Sequence, residues 1–391
     1  MAQDISSVMV DERRAETEAE KLDATAMAEH RLYSVEIYWR DRYFWFKEHG
    51  YLLRPRYHPE WIASWKGSVK SRLHFEDAQV GTMFTVVMSA TRLSDGAQVM
   101  LKRLKKSTAN ELDIGQLFSN PPHNSHPSNH CVPLYDVLVN PDEDMVFLVS
   151  PLLTDWDEPE LETVGEAVEF LRQLFEGLEY MHIQNVAHND VKFDNVMLDP
   201  LPLYDEPFHP TNPAMSQDYT HPVKRHSRTL RPVKYYYIDF GNAMYFNPEN
   251  GPPRIPIRPG GYGGDRSVPE FKTMTECNPF PVDVYRAGNL IRHAFMGHGD
   301  VGFGAKYGLD FMKPLLQDMC QDDPLKRPTM SEVVARFSVL LKSLSTWRLR
   351  SRLVSKDESA FSRLTHFPVH WAHQILEFRR RTPLTLRIDA H

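Results

Sequence analysis

A short polar segment in the middle of the chain constrains its fold more than any other feature. Residues 186–198 read VAHNDVKFDNVML, in which two acids, a lysine, a histidine and amide side chains stand between two apolar patches. A loop this polar can be buried only if its groups are paired or bind metal and phosphate. A surface loop that is polar by chance is the alternative. The segment therefore predicts either a functional loop or a solvated turn.

A second segment, KYYYIDFGN, places Asp239 at the end of a predicted strand, directly before a Phe-Gly pair. A carboxylate followed by glycine suits a metal ligand with close ligand approach, and it suits an ordinary β-turn equally. Upstream, Thr163 and Glu166 have the spacing of a capping box, so a long amphipathic helix is predicted over 163–185. Neither segment identifies a function by itself.

Two strands are predicted over 83–104, with a turn at 94–96 between them. Lys102 ends the second strand, where a lone ammonium is costly unless an anion meets it. The alternative is an edge lysine whose ammonium extends to solvent. The preceding stretch, 31–66, is rich in aromatic residues. It predicts a helix that stops at Gly50, then an extended segment, and packing against the next domain rather than a ligand-binding surface.

Taken in chain order, these segments resemble the eukaryotic protein kinase superfamily, whose motifs are a β3 lysine, H-R-D-x-K-x-x-x-N, D-F-G, A-P-E and a distal arginine. The similar positions here are Lys102 in VMLK, 188–195 in HNDVKFDN, 239–241 in DFG, 268–270 in VPE, Asp283 in PVDVYRAGNLI and Arg327 in KRPT. In the family, the last arginine pairs with the A-P-E glutamate, here Glu270. The segments GYLLRPRYHPEW, NHCVPLYDVL and YYYIDFGN also resemble kinase-like proteins of mushroom-forming fungi.

The resemblance implies an α+β, two-lobed protein kinase-like fold, with a small antiparallel β-sheet N-lobe, a mainly helical C-lobe and ATP in the cleft between them. The expected kinase-like domain spans 70–345, with the N-lobe at 70–150, the C-lobe at 151–345 and an insert at 199–234. The expected flanking segments are an acidic mobile tail (1–30), an aromatic-rich N-terminal extension that packs on the N-lobe (31–69) and a basic C-terminal extension (346–391).

The resemblance also implies a catalytic role for four polar side chains. Asp190 would accept the proton of the substrate hydroxyl, and Lys192 would meet the γ-phosphate. Asn195 and Asp239 would hold Mg²⁺. A lysine at position 192 goes with serine and threonine substrates in the family.

Nucleotide binding is assigned to a second set of residues by the same resemblance. Lys102 would hold the α- and β-phosphates, and Glu111 would keep Lys102 aimed. Ser150 would be the gatekeeper of the adenine pocket, with the N–H of Leu153 as a donor. The full predicted set is Gly81, Val87, Lys102, Glu111, Ser150 and Leu153.

The chain departs from the family pattern in three places. Only the first glycine of the phosphate-covering loop, Gly81, is present, and Met83 and Thr85 stand where glycines let backbone N–H groups approach phosphate. Asn189 replaces the arginine that receives an activation-loop phosphate, so such phosphorylation is predicted not to control this protein. The insert 199–234 contains seven prolines and three histidines, which favours a proline-rich surface loop near the active cleft over a metal site.

Composition excludes several other classes of protein. The net charge of −7 leaves no basic field for nucleic acid or an anionic membrane, and no apolar run is long enough to span one. The three cysteines have neither metal-site nor disulfide spacing, which favours the cytoplasm or nucleus. We expect a monomeric serine/threonine protein kinase that uses ATP and Mg²⁺ on a protein substrate. The alternatives are a pseudokinase that binds nucleotide or acts as a scaffold, and a small-molecule phosphotransferase, which 268–270 and Arg327 argue against.

Overall fold

The computed structural model describes residues 31–81, 86–108, 110–257, 263–298 and 304–379. Its helices are α1 (Ser34–Arg40), α2 (Tyr43–Glu48), α3 (Asn110–Ser119), α4 (Val164–Ile183), α5 (Glu270–Thr273), α6 (Pro279–Met296), α7 (Lys313–Met319), α8 (Met330–Lys342), α9 (Thr346–Arg350) and α10 (Ala360–Arg379). Its strands are β1 (Tyr51–Leu53), β2 (Val87–Arg92), β3 (Gln98–Lys105), β4 (Asp136–Asn140), β5 (Met145–Pro151), β6 (Thr154–Asp155), β7 (Val186–Ala187), β8 (Val196–Leu198), β9 (Phe208–His209), β10 (Asn212–Ser216), β11 (Tyr235–Tyr237), β12 (Met244–Tyr245), β13 (Ile255–Pro256) and β14 (Glu276–Cys277). Helices combined with antiparallel sheets make this an α+β protein, as predicted.

The described chain divides into two compact units. The first consists of residues 31–106, 135–152 and 205–224. The second consists of 107–134, 153–204 and 225–379, apart from the gaps given above. Within these ranges, no helix has both the length and the apolar character needed to cross a membrane.

A five-stranded antiparallel sheet forms the centre of the first unit, in the order β1-β2-β3-β5-β4. Along β3, Val99 and Leu101 are fully buried. Successive side chains of a strand point to opposite faces, so Lys102 points to the other face of the sheet. Its backbone lies opposite Val87 of β2 and Leu148 of β5. The predicted apolar strand is therefore confirmed, but it continues past Lys102 to Lys105.

The aromatic stretch forms two short helices where one was predicted, because the chain turns at Asp41 between α1 and α2. Their rings face the sheet. Trp39 and Phe46 have ring centroids 6.0 and 4.8 Å from that of Phe147 on β5. All three side chains are buried, and they belong to the same core as Val99. Most of the aromatic residues in α1 and α2 thus pack in the core of the first unit, whereas Phe44 is 51% exposed.

The connection from β1 to β2, residues 54–86, contains two ion pairs with little exposure to water. Arg56 donates through Nε and Nη2 to the carboxylate of Glu36 at 2.6 and 2.7 Å, and each side chain is 3% exposed. Arg54 Nε lies 2.6 Å from Glu76 Oε1. Breaking either pair would leave a charge in the interior, so these pairs hold the connection against the unit.

The first strand of the sheet lies outside the range expected for the N-lobe. That range begins at residue 70, whereas β1 pairs antiparallel with β2 through Tyr51 opposite Arg92 and Leu53 opposite Ala90. A three-residue strand followed by Arg-Pro has too short a pattern to be recognised from the sequence. The segment 31–69 therefore supplies an edge strand as well as packing residues.

The insert 199–234 is folded, which corrects the prediction of a proline-rich surface loop. Its middle part forms the β9–β10 hairpin of the first unit, where Phe208 and His209 are 2% and 0% exposed. His209 Nε2 lies 3.1 Å from Glu76 Oε1. Burial of these two side chains explains why a segment with seven prolines is ordered. Among the described residues, no group of three or more His, Cys, Asp or Glu side chains is arranged to hold a metal ion.

The helix α4 lies at the centre of the second unit's core. It begins with the predicted capping box, in which Thr163 Oγ1 accepts from the Glu166 N–H at 3.1 Å, and it ends at Ile183. The apolar residues predicted to face the core are all 0–1% exposed: Val168, Leu171, Leu174, Phe175, Leu178 and Met181. The Glu166 side chain accepts through Oε1 from Thr229 N and Oγ1 at 2.9 and 2.8 Å. The same glutamate therefore caps α4 and holds the last part of the insert.

Candidate active site

The polar segment 188–195 links β7 to β8 in the second unit, and its first three residues are buried. His188, Asn189 and Asp190 are 0%, 1% and 4% exposed. These values exclude a solvated turn at the three positions. Their polar groups must therefore be paired within the protein, because a buried unpaired group is costly.

Asp283 of α6 satisfies the backbone of this segment. Its two carboxylate oxygens accept from the N–H groups of His188 and Asn189 at 2.7 and 2.9 Å, and Oδ2 also lies 3.2 Å from His182 Nε2. Asp283 is completely buried. Asn189 has a left-handed backbone with φ of 59°, a conformation that asparagine adopts more readily than most residues. The buried aspartate predicted on this helix is confirmed.

His188 connects the segment to the Asp239 strand through a neutral ring. Burial lowers the pKa of His188, so the imidazole is uncharged at pH 7. Its Nδ1 accepts from the Asp190 N–H at 3.3 Å, and its Nε2 lies 3.1 Å from the carbonyl of Ile238. A carbonyl can only accept, so Nε2 carries the proton. This tautomer holds Asp190 and the residue before Asp239 on the two sides of one ring.

Asp190, Asn195 and Asp239 are brought together by main-chain contacts. Strands β8 and β11 pair antiparallel, and the Ile238 N–H donates to the Asn195 carbonyl at 3.0 Å. The Asn195 side chain donates through Nδ2 to the Asp190 carbonyl at 2.8 Å. Asp239 follows the strand with a left-handed backbone of φ 63° and ψ 68°. Strand β11 ends at Tyr237, so Asp239 lies two residues after the strand that it was predicted to end.

The donor set at this place fits Mg²⁺. With Nδ2 of Asn195 used as a donor, its Oδ1 is the atom left to accept from a ligand or a cation. A methyl group placed on Gly241 would lie 3.5 Å from Asp239 Oδ1 and 3.8 Å from Glu111 Oε2, so two carboxylates face the same glycine. Mg²⁺ binds through one or two carboxylates and keeps several other oxygen ligands. The Asp239 carboxylate and the Asn195 amide oxygen can supply two ligands of such a set.

Asp190 has a different surrounding at each carboxylate oxygen. Oδ1 accepts from the Gly264 N–H at 2.8 Å. Oδ2 lies 3.8 Å from Lys192 Nζ, which is equally far from Asp194. The lysine predicted to act beside Asp190 is thus its neighbour in space.

Glu270 and Arg327 form the predicted ion pair. Arg327 Nη1 and Nη2 donate to the two oxygens of Glu270 at 2.7 and 2.6 Å, and the side chains are 0% and 1% exposed. A third guanidinium nitrogen, Nε, donates to the Gln321 carbonyl at 2.7 Å. The pair is confirmed, and it fixes the start of α5 to the chain that precedes α8.

Sequence reasoning selected Asp283 on α6 but missed Arg286 and Asn289. Arg286 is 1% exposed, and its guanidinium donates to the carbonyl of Asn189 and, at 3.0 Å, to that of Asp265. Asn289 Nδ2 donates to Asp265 Oδ2 at 2.9 Å. A signal was available in the sequence: Asp283, Arg286 and Asn289 are spaced three residues apart. Residues at this spacing lie on the same face of a helix.

The predicted nucleotide-binding residues are divided between the units. Lys102 and Val87 are cross-strand neighbours in the first unit, and Ser150 lies on β5 opposite Met100. In the second unit, Glu111 begins α3 and is 6% exposed, and Leu153 is 7% exposed in the core. The role of each toward a nucleotide stays a prediction.

The predicted phosphate-covering loop does not have a strand before it. Gly81 follows a short 3₁₀ turn, and the two strands that flank β2 are β3 and β1, residues 51–53. A methyl group on Gly81 would lie 3.0 Å from the Tyr57 hydroxyl, so close packing explains this glycine. Residues 82–85 of the loop lie outside the described residues.

A comparison with protein families matches residues 78–205 to the protein kinase domain. The match contains Lys102 and the segment 188–195, and it ends inside the insert, before Asp239. It supports a protein kinase. The kinase match covers about a third of the chain.

A curated relative is the serine/threonine-protein kinase ssp1 of Schizosaccharomyces pombe, with 35% identity over 80 residues. The aligned stretch is 19% of this chain and 12% of the relative. The chain therefore spans only a small part of that kinase's length.

Proposed function

We propose that the chain is an ATP-dependent protein kinase that transfers the γ-phosphate of Mg²⁺-ATP to serine or threonine hydroxyls of a protein. The observation that carries the proposal is the meeting of Asp190, Asn195 and Asp239 in the second unit, through the 2.8 Å bond from Asn195 Nδ2 to the Asp190 carbonyl and the 3.0 Å bond from Ile238 to Asn195. The kinase-domain match supports it. In this proposal the two compact units are the small and large lobes of a kinase fold.

Each residue of the site has a distinct part in the proposed reaction. Asp190 accepts the proton of the substrate hydroxyl, and Lys192 beside it stabilises the anionic phosphoryl group. Asn195 and Asp239 hold the metal. When bound, Mg²⁺ neutralises charge on the phosphates. The parts of Lys102, Glu111 and the other nucleotide-binding residues are those that the resemblance implies.

Two observations favour a protein substrate with serine or threonine. The buried Glu270–Arg327 pair belongs, by resemblance, to the part of a kinase that binds peptide. Lys192 stands two residues after Asp190, as in serine/threonine kinases, and the relative matched over 80 residues carries that name.

A pseudokinase is the second candidate, and one observation favours it. Asp190 is 4% exposed, and its Oδ1 already accepts from the Gly264 N–H. A base that is covered in this way would bind no substrate hydroxyl if the cover were permanent. Such a chain would still bind nucleotide and would act as a scaffold.

The deciding experiment is a thermal-shift titration with ATP and Mg²⁺, followed by transfer of labelled γ-phosphate to a generic basic protein. A kinase is expected to be stabilised, by about 2.7 kcal/mol at an ATP concentration of 100 times Kd, and to label the protein. Titration with ATP and EDTA is the control for the metal. Stabilisation without labelling selects the pseudokinase. If ATP and Mg²⁺ cause neither stabilisation nor labelling, both candidates are refuted.

Phosphatase treatment is expected to leave the transfer rate unchanged. In place of a phosphate-binding arginine at position 189, Arg286 donates to the main-chain carbonyls of Asn189 and Asp265, which orders both segments internally. Ser267 Oγ already lies 3.1 Å from Asn289 Nδ2, and Tyr262 lies outside the described residues. The rate is measured before and after treatment, with loss of phosphate checked by mass. A rate that falls severalfold would contradict this prediction.

A further inference from the structure

The main chain of two glycines lies against the carboxylate of Asp190. The Gly264 N–H donates to Oδ1 at 2.8 Å. A methyl group on Gly263 would lie 2.0 Å from Oδ1 and 2.5 Å from Cγ, and Gly263 has a positive φ of 65°. No side chain fits at such distances, and the backbone conformation itself favours glycine. Glycine at position 263 is therefore what allows the chain to approach Asp190.

The same helix holds both sides of this contact. Arg286 of α6 donates to the carbonyl of Asn189, next to Asp190, and to the carbonyl of Asp265, next to Gly264. Asn289, one turn further, binds the Asp265 carboxylate at 2.9 Å. With both segments fixed to one buried helix, the position of the Gly264 N–H relative to Asp190 is set in advance.

We propose that Gly263 and Gly264 are positioning residues that select Oδ2 of Asp190 as the atom that accepts the substrate proton. This inference rests on the proposed kinase function. In the step, the hydroxyl O–H bond breaks and its proton goes to Oδ2. The hydroxyl oxygen bonds to the γ-phosphorus, and ADP leaves with the electron pair of the broken P–O bond.

The surroundings of the two oxygens support this choice. Oδ1 has its N–H donor and the Gly263 main chain beside it. Oδ2 lies 3.8 Å from Lys192 Nζ, the cation that the proposed function places at the transferred phosphate, and that lysine side chain is 32% exposed. A carboxylate fixed at one oxygen keeps the other in one orientation. Such preorganisation counts in catalysis, because a misplacement of about 1 Å can cost about 100-fold in rate.

Replacement of Gly263 by alanine tests the proposal. The added methyl group must push the segment away from Asp190, so Gly263→Ala is expected to lower kcat about 10- to 100-fold. KM for ATP is expected to stay within about twofold, because the change acts on the base rather than on nucleotide binding. Because an unfolded fraction would also lower kcat at constant KM, kcat is calculated per folded molecule, counted by ATP titration and by the thermal unfolding transition of the same preparation.

The matched control is Gly251→Ala. Gly251 also has a positive φ, 84°, but a methyl group there would contact nothing within 4 Å. Alanine there also meets a positive φ but makes no contact with Asp190, so kcat is expected to stay at the wild-type value. If Gly263→Ala kept the kcat of this control, or exceeded it because the segment covers the base, the proposal would be overturned.

A second variant applies if Gly263→Ala does not fold. Asn289→Ala removes the anchor of Asp265 without adding volume, and it is expected to lower kcat about three- to tenfold at unchanged KM for ATP. Full kcat in a folded Asn289→Ala protein would refute the proposal. Absence of transfer by the wild-type protein would overturn the kinase function and this inference together. Failure of the inference alone is distinct, since the wild type and both variants would then transfer phosphate equally.

Discussion

Asp190→Asn is expected to lower kcat for phosphate transfer by a factor of about 10²–10⁴, the range that removal of a general base produces. Asparagine has the shape of aspartate. Its Oδ1 can still accept from the Gly264 N–H, which donates to Asp190 Oδ1 at 2.8 Å in the wild-type protein. Its amide cannot take a proton from the substrate hydroxyl. The fold and ATP binding should therefore persist while the chemical step is lost.

The measurement is steady-state transfer of labelled phosphate, with an ATP thermal shift on the same preparation. Asp194→Asn is the matched control, because Asp194 lies in the same segment and equally near Lys192, at 3.8 Å, but is 83% exposed. We expect its kcat to stay within about twofold of wild type, as for an exposed charge that contributes little. An Asp190→Asn protein as active as this control would show that another group, or none, acts as the base.

The parts of the fold that depend on local patterns could be predicted from the sequence. The helix α4 follows from its capping box and from apolar residues at helical spacing, and it was found within two residues of the predicted ends. Lys102 on an apolar strand and Asp239 after another are likewise local features. Their meaning came from their order along the chain, which resembles that of a known family.

The insert and β1 could not be predicted, because both depend on distant partners. His209 is buried against Glu76, a residue more than a hundred positions earlier in the chain. Tyr51–Leu53 is too short to show the alternation of a strand, and its pairing with β2 spans the whole connection 54–86. Proline content describes local stiffness, and it carries no information about such long-range burial.

The polar side chains of the candidate site could be predicted from the sequence, but the main-chain groups that hold them could not. Asp190, Asn195 and Asp239 have side-chain chemistry that stands out in a sequence. Gly263 and Gly264 act through their main chain, and a Gly-rich stretch is equally typical of an open loop. Only the distances to Asp190 separate these two possibilities.

Arg327→Met is expected to lower the free energy of unfolding by about 3–5 kcal/mol, the usual cost of removing one partner of a buried ion pair. The Glu270 carboxylate would lose two donors at 2.7 and 2.6 Å and would stay in the interior, where its side chain is 1% exposed. The carbonyls of Gln321 and Pro281 would each lose an Arg327 donor as well. The measurement is chemical unfolding by urea, with the second unit followed by fluorescence.

Arg336→Met is the control for this variant, because it breaks an arginine–carboxylate pair on the surface. Arg336 Nη2 lies 2.5 Å from Asp318 Oδ2, and both side chains are 43% exposed. Water screens this ion pair, so its loss is expected to change the free energy of unfolding by about 0–1 kcal/mol. The double variant Glu270→Met with Arg327→Met should recover part of the lost stability, because no charge remains buried. If Arg327→Met were no less stable than Arg336→Met, the prediction that an unpaired Glu270 carboxylate destabilises the fold would be wrong.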